Sequence, residues 1–164
     1  MILSARAMSA DFQVRRLTDA ARVEELLALA HGAFGELAID PPSSVLKETA
    51  ADFATRLKSE TCLVIEDDGR IIASVFCIPR DDALYIGRLA VAPDWRRRGI
   101  ASALVDAAKG EARRIGATRL TLKARISLAS NVELFRRHGF AIVAEETHAG
   151  YPAPTSYAME LALT

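Results

Sequence analysis

The chain has 164 residues, enough for one domain with a substantial buried core. Half of its residues are hydrophobic, a quarter are charged, and 21 basic side chains balance 21 acidic ones. This is the profile of a soluble globular protein with no net field drawing it to nucleic acid or to a membrane surface.

Residues 1–10 read as a disordered tail, with Met8 as an alternative start, and residues 11–164 as a single domain. The opening stretch lacks the apolar core and flanks of a signal peptide, and no later run is long and apolar enough to span a bilayer, so a cytoplasmic location is expected. Asp11 to Leu17 predicts a first strand. Thr18 is placed to cap a helix that carries Val23, Leu26, Leu27 and Ala30 at helical spacing and stops at Gly32. Beyond Pro41-Pro42 a second helix is predicted from about Ser44 to Lys58, with Leu46, Ala50, Phe53 and Leu57 on one face. The loop between these helices is a candidate substrate wall.

Thr61 to Glu66 and Ile71 to Ile78 are β-branched apolar runs around Asp67-Asp68-Gly69-Arg70, the pattern of an antiparallel hairpin. Cys62 and Cys77 fall in these runs and read as buried free thiols. In the fourth strand, Ala83 to Val91, the apolar residues change phase at Gly87-Arg88, as a β-bulge or a strand buried on both faces would make them. After Pro93 a helix from Gly99 to Gly116 carries Ile100, Leu104, Ala108, Ala112 and Ile115 as its core stripe. Leu120 to Ile126 alternates strictly, placing Thr121, Lys123 and Arg125 on one face. Ser130 to Glu133 has capping-box spacing for a short helix ending at Gly139. Two last strands, Phe140 to Thr147 and Ser156 to Leu163, flank the loop from His148 to Pro154. The order βααβββαβαββ predicts an α/β fold whose mixed, largely antiparallel twisted sheet has about seven strands and about four helices. His31, His138 and His148 show no metal-ligand spacing, and no metal is expected.

The segment that carries chemistry is Val91-Ala92-Pro93-Asp94-Trp95-Arg96-Arg97-Arg98-Gly99-Ile100-Ala101. It joins a strand end, a tight basic loop and a helix start, where unpartnered N–H groups and the macrodipole favour an anion. Gly99 and Ala101 let a phosphate approach the backbone closely, and the arginines add charge-assisted bonds. The fingerprints of the dinucleotide fold and of the nucleotide P-loop are both absent.

Arg96-x-x-Gly99-x-Ala101 after a strand resembles the [RQ]-x-x-G-x-[GA] pyrophosphate loop of the GNAT superfamily of acetyltransferases. Leu89-Ala90-Val91-Ala92-Pro93 is similar to that family's bulged fourth strand. Asn131-Val132-Glu133-Leu134-Phe135-Arg136-Arg137-His138-Gly139-Phe140 is similar to its N-x-x-L-[YF]-x-x-x-G-F signature. The resemblance implies direct transfer of an acetyl group from acetyl-CoA to a primary amine of a small molecule or peptide. Nucleic acid and membrane are not expected partners, and a homodimer is left open.

It also implies the cofactor-binding roles. Leu89, Ala90 and Val91 would line the pantetheine arm, with the Val91 N–H facing the thioester carbonyl. Arg96, Arg97, Arg98, Gly99, Ile100, Ala101 and Ser102 would hold the pyrophosphate, Asn131 would contact the cofactor, and Phe135 would lie near the sulfur. Many family members have a tyrosine where Phe135 stands, and that tyrosine protonates the departing thiolate. Phenylalanine cannot, so Tyr151 and His148 are the alternative acids by position, and Glu36 is a candidate base acting through water. Arg88 and Arg125 are candidates to attract an acidic group on the acceptor, with structural ion pairs as the other reading. The missing tyrosine also admits a non-catalytic acyl-CoA-binding sensor as the alternative.

Overall fold

A computed structural model describes residues 12–164; the expected tail at residues 1–10, and Asp11, lie outside the described residues. Seven strands, β1 (Val14–Leu17), β2 (Thr61–Asp67), β3 (Arg70–Arg80), β4 (Ala83–Val91), β5 (Arg119–Arg125), β6 (Ala141–Glu146) and β7 (Ser156–Ala162), form one sheet in the order β1-β2-β3-β4-β5-β7-β6. Every pairing is antiparallel except β4 with β5. Four α-helices accompany them: α1 (Val23–Gly35), α2 (Ala50–Ser59), α3 (Ile100–Arg114) and α4 (Ala129–Arg137). No described helix is long and apolar enough to cross a membrane.

The β2–β3 turn forms where Asp68 and Gly69 take φ values of 50° and 79°, the left-handed pair that a tight hairpin demands. Strand alternation then serves two cores. Cys62 and Val64 of β2 pack with α1 and α2, while Leu63 and Ile65 pack with α3 and α4. On the α1–α2 face Phe53 meets Phe76 edge-on, with ring centroids 5.4 Å apart. Both cysteines are free and buried, and burial pushes both thiols well above their ordinary range.

Several local expectations give way to tertiary structure. Helix α1 does not stop at Gly32 but runs to Gly35. The roughly 1 kcal/mol that a helical glycine costs is outweighed by burial of Ala30 and Ala33 on either side. Its entry is capped by Asp19 rather than Thr18, through a short 3₁₀ turn at Ala20–Arg22. The second predicted helix is two pieces: a 3₁₀ turn at Ser44–Lys47 and then α2, restarted by a reciprocal capping box between Thr49 and Asp52. Leu46 is consequently exposed, as is Ile115 at the end of α3. Ser130 does not cap α4 but lies inside it, because the Leu128 carbonyl accepts the Asn131 and Val132 amides at 3.0 and 3.1 Å and starts the helix earlier.

Two features of the sheet create a cleft. The parallel ladder between β4 and β5 ends at Tyr85 and Thr121, so the remainders of both strands diverge. On the other side of β4 the register slips: Ser74 faces Ala90 and Phe76 faces Gly87, so Arg88 and Leu89 together stand opposite Val75. Arg88 takes a φ of 56° there.

Candidate active site

The cleft between β4 and β5 leads to the start of α3. Strand β4 is tied off by the Ala92 N–H donating to the Ile72 carbonyl at 2.8 Å. Because successive amides of a strand point to opposite edges, the Val91 N–H faces away from β3 and into the cleft. A 3₁₀ turn at Pro93–Trp95 and left-handed residues at Arg97 and Gly99, with φ of 62° and 80°, then fold the chain into α3. No side chain caps that helix, so its first amides and the positive end of its dipole face outward.

A cavity of about 430 Å³ lies at this tip, lined by Trp95, Arg96, Arg97, Gly99 to Ser102, Leu134, Arg137 and His138. A larger one of about 560 Å³ follows the cleft and shares Val91, Arg96, Ala101 and Leu134 with it. The two therefore form one continuous groove, from the basic loop to the parted strands. Leu89, Asn131 and Phe135 line the larger cavity. Phe135 is 8% exposed and meets Phe140 edge-on. Ala90 is buried in the core and lines neither cavity, and Arg98 lies over the Trp95 ring at 4.5 Å, outside both linings.

His138 was not singled out by the sequence, since it occupies an unspecified position of the asparagine-to-Gly-Phe signature. Its Nε2 lies 3.0 Å from Ser102 Oγ and its Nδ1 lies 3.3 Å from Lys109 Nζ. Burial first, and then the Lys109 charge, hold its pKa below the ordinary histidine value, so the ring is neutral near pH 7. An ammonium group can only donate, which makes Nδ1 the acceptor and Nε2–H the donor to Ser102. The Ser102 hydroxyl thereby accepts from His138 and keeps its own proton free to donate to another group.

The acceptor side of the larger cavity is built from Phe34 in the last turn of α1, Leu37 and Ile39 after it, Ser43 and Ser44 beyond them, Tyr85 of β4, Arg125 of β5 and His148. The loop between α1 and α2 is thus part of the wall, although its apolar residues carried no periodic signal that would have named them individually. Arg88 does not offer its charge to the cavity: its Nε and Nη2 donate to Glu48 at 2.6 and 3.1 Å. Glu36 is held by Arg96 at 2.5 Å. Tyr151 donates to Asp40 at 2.5 Å, and that bond to a carboxylate raises its pKa. His148 is bonded at Nδ1 to the Thr155 hydroxyl and has no other side-chain bond among the described residues. Of the three acid–base candidates it is the one that lines the cavity. Among the described residues no cluster of histidine, cysteine or carboxylate side chains could hold a metal ion.

The fold is shared with solved proteins. A GNAT-family acetyltransferase from Streptococcus pneumoniae superposes with a TM-score of 0.78 at 17% identity, covering 94% of this chain and 100% of that one. The ribosomal-protein-S18-alanine N-acetyltransferase of Escherichia coli gives 0.74 at 20% identity, over 93% and 94%. The PaiA N-acetyltransferase of Thermoplasma acidophilum, solved in complex with coenzyme A, gives 0.76 at 14% identity, over 93% and 99%. No curated protein matches the sequence. The model of the acetyltransferase (GNAT) family matches residues 23–140, from the start of α1 to the end of the Gly139-Phe140 signature, with the whole groove-forming β4–α3 segment inside it. The chain belongs to the GNAT family of acetyltransferases, acyltransferases that draw their acetyl group from acetyl-CoA.

Proposed function

We propose that this protein moves an acetyl group directly from acetyl-CoA to a primary amine, with no acyl-enzyme between. The observation that carries this is the uncapped start of α3 opening onto a groove continuous with the parted ends of β4 and β5. A diphosphate fits the first amides of α3 together with Arg96, Arg97 and the hydroxyl of Ser102. Arg98 contributes charge at longer range from its place on Trp95. The exposed edge of β4 at Leu89 and Val91 matches an extended pantetheine arm laid beside it, and Asn131 and Phe135 close the other wall.

Acetyl-CoA supplies the activated thioester. The Val91 N–H is the donor directed to the carbonyl oxygen as negative charge grows on it, a contact whose removal typically costs about 3 kcal/mol of barrier. The Thr155 hydroxyl donates to the Glu146 carbonyl at 3.4 Å and so accepts the proton of His148 Nδ1. This leaves Nε2 with a free lone pair in the cavity, and we assign it to take the proton of the attacking amine. Glu36 and Tyr151 are engaged by Arg96 and Asp40 and are assigned positioning roles at the rim. Phe135 offers no proton, and a thiol of pKa about 8.5 leaves as the thiolate. Direct transfer also agrees with the two cysteines, which are buried and line neither cavity.

Two measurements test this reading. Acetyl-CoA at a hundredfold excess over its Kd stabilises a binding fold by about 2.7 kcal/mol, which raises the Tm by several degrees. Free thiol must then appear when an amine is added. An unmoved melting curve, or binding with no thiol release across a broad amine panel, refutes it.

A further inference from the structure

We infer that the acceptor amine also carries a carboxylate, and that Arg125 binds it. The inference rests on the acetyl-transfer reading above and goes on to name the substrate class. Five arginines of the described chain are half-buried: Arg22, Arg56, Arg88, Arg119 and Arg125. Arg22 holds Glu25 and Glu66, Arg56 holds Glu48 and Glu60, Arg88 holds Glu48, and Arg119 holds Asp82 and Glu160. Among the described residues, Arg125 alone of these five has no ion pair, no side-chain hydrogen bond and no aromatic ring to stack on. A partly desolvated charge without a partner is unfavourable, and a fold retains one cheaply only where something else supplies the counter-charge.

Its direction follows from the strand. Leu120, Leu122 and Ala124 are buried in the core beneath α3, so alternation turns Arg125 to the opposite face, toward α1 and the acceptor wall. There it lines the same cavity as Phe34, Ile39 and His148. The other cations near this face are engaged elsewhere: Lys123 by Glu146 at 2.9 Å and Arg88 by Glu48, while Arg96, paired with Glu36, lies at the phosphate end of the groove. Asp40 is close enough to act on Arg125 through space, yet it makes no ion pair with it and receives the Tyr151 hydroxyl instead.

A planar guanidinium with its donors open matches a carboxylate through two parallel bonds. The single cation, with Asp40 beside it, balances one negative charge better than the two of a phosphate monoester. The apolar wall at Phe34, Leu37 and Ile39 adds preference for a hydrocarbon body. The acceptor class is therefore an apolar amino acid or ω-amino acid, a small amine with a carboxylate at its other end.

The test compares apolar α-amino acids and ω-amino acids of four to six carbons with their own carboxamides, by thiol release from acetyl-CoA, in the wild type and in Arg125→Gln and Arg125→Lys. The expected result is a preference for at least one acid over its amide of tenfold or more in kcat/KM. Arg125→Gln should erase it through KM with kcat held, Arg125→Lys should restore part of it, and the thermal shift with acetyl-CoA should be unchanged in both. Equal rates on every acid and amide pair, or a preference that survives Arg125→Gln, overturns the inference. If those outcomes occur while acetyl-CoA still shifts the Tm and a neutral amine still releases thiol, the acetyl-transfer reading stands and only the substrate class falls. If acetyl-CoA shifts nothing, the failure lies in the earlier reading.

Discussion

Arg88, held at a φ of 56° where β4 slips against β3, reaches across the sheet to Glu48, whose carboxylate it meets at 2.6 and 3.1 Å. Arg56 of α2 meets the same carboxylate at 2.5 and 2.9 Å. One side chain between the 3₁₀ turn and α2 thus ties the helices of the acceptor face to the residue that distorts the strand.

Glu48→Gln is expected to lower stability by about 1–3 kcal/mol, the cost of leaving charged donors partly unsatisfied, and to raise KM for the acceptor because the wall loses its tether. Chemical denaturation and steady-state kinetics check the two effects.

Stability should fall in acid. Burial pushes the Glu48 carboxyl up, but the bonds from Arg88 and Arg56 outweigh it and leave it below the ordinary value of 4.5. The bonds from Arg15 and Arg22 lower Glu66 to about 2. Groups depressed in the folded state contribute fully above their unfolded pKa and lose that contribution as pH falls through the folded one. The window is therefore from pH 4.5 down to about 2. Melting curves across it should drop more steeply for the wild type than for Glu48→Gln.

Gly99→Asp places a carboxylate at the anion site, and Gly99→Asn matches its shape without the charge. Asparagine also tolerates the left-handed backbone found at this position, φ 80°. Calorimetric titration should show acetyl-CoA affinity lost in the aspartate variant and largely kept in the asparagine variant.

Ser102→Ala removes the hydroxyl that His138 orients from 3.0 Å. Losing one hydrogen bond to a charged group is worth about 1.5–3 kcal/mol, so the acetyl-CoA Kd should rise by roughly 10- to 100-fold. An unchanged Kd would place the pyrophosphate elsewhere.

His148→Gln should lower kcat by roughly 10²- to 10⁴-fold, the range of general base assistance, while leaving the thermal shift with acetyl-CoA intact. Tyr151→Phe, by contrast, should raise KM for the acceptor with little effect on kcat, since the hydroxyl is committed to Asp40 at 2.5 Å.

The parts of the site that were legible in the sequence are local ones. The run from Leu89 to Ala101 encodes a strand end, a proline stop, a glycine that permits a left-handed turn and a helix start, all within a span where neighbours in sequence are neighbours in space. Asn131 to Phe140 is legible for the same reason, and hydrophobic periodicity supplied the element order. Helix boundaries were less secure: Gly32 and Ser130 carry local signals that packing and the Leu128 carbonyl override.

By itself, then, the sequence determined the order of strands and helices, the basic loop before α3 and the absence of the usual tyrosine at Phe135. Tertiary structure alone decided which charges are spoken for. Arg88 and Arg125 carry the same group and look equivalent in sequence, yet one is matched by a carboxylate 40 positions away and the other faces a cavity. Such pairings depend on how two helices cross the sheet, and a charge acts through distance in space, which periodicity along the chain does not record.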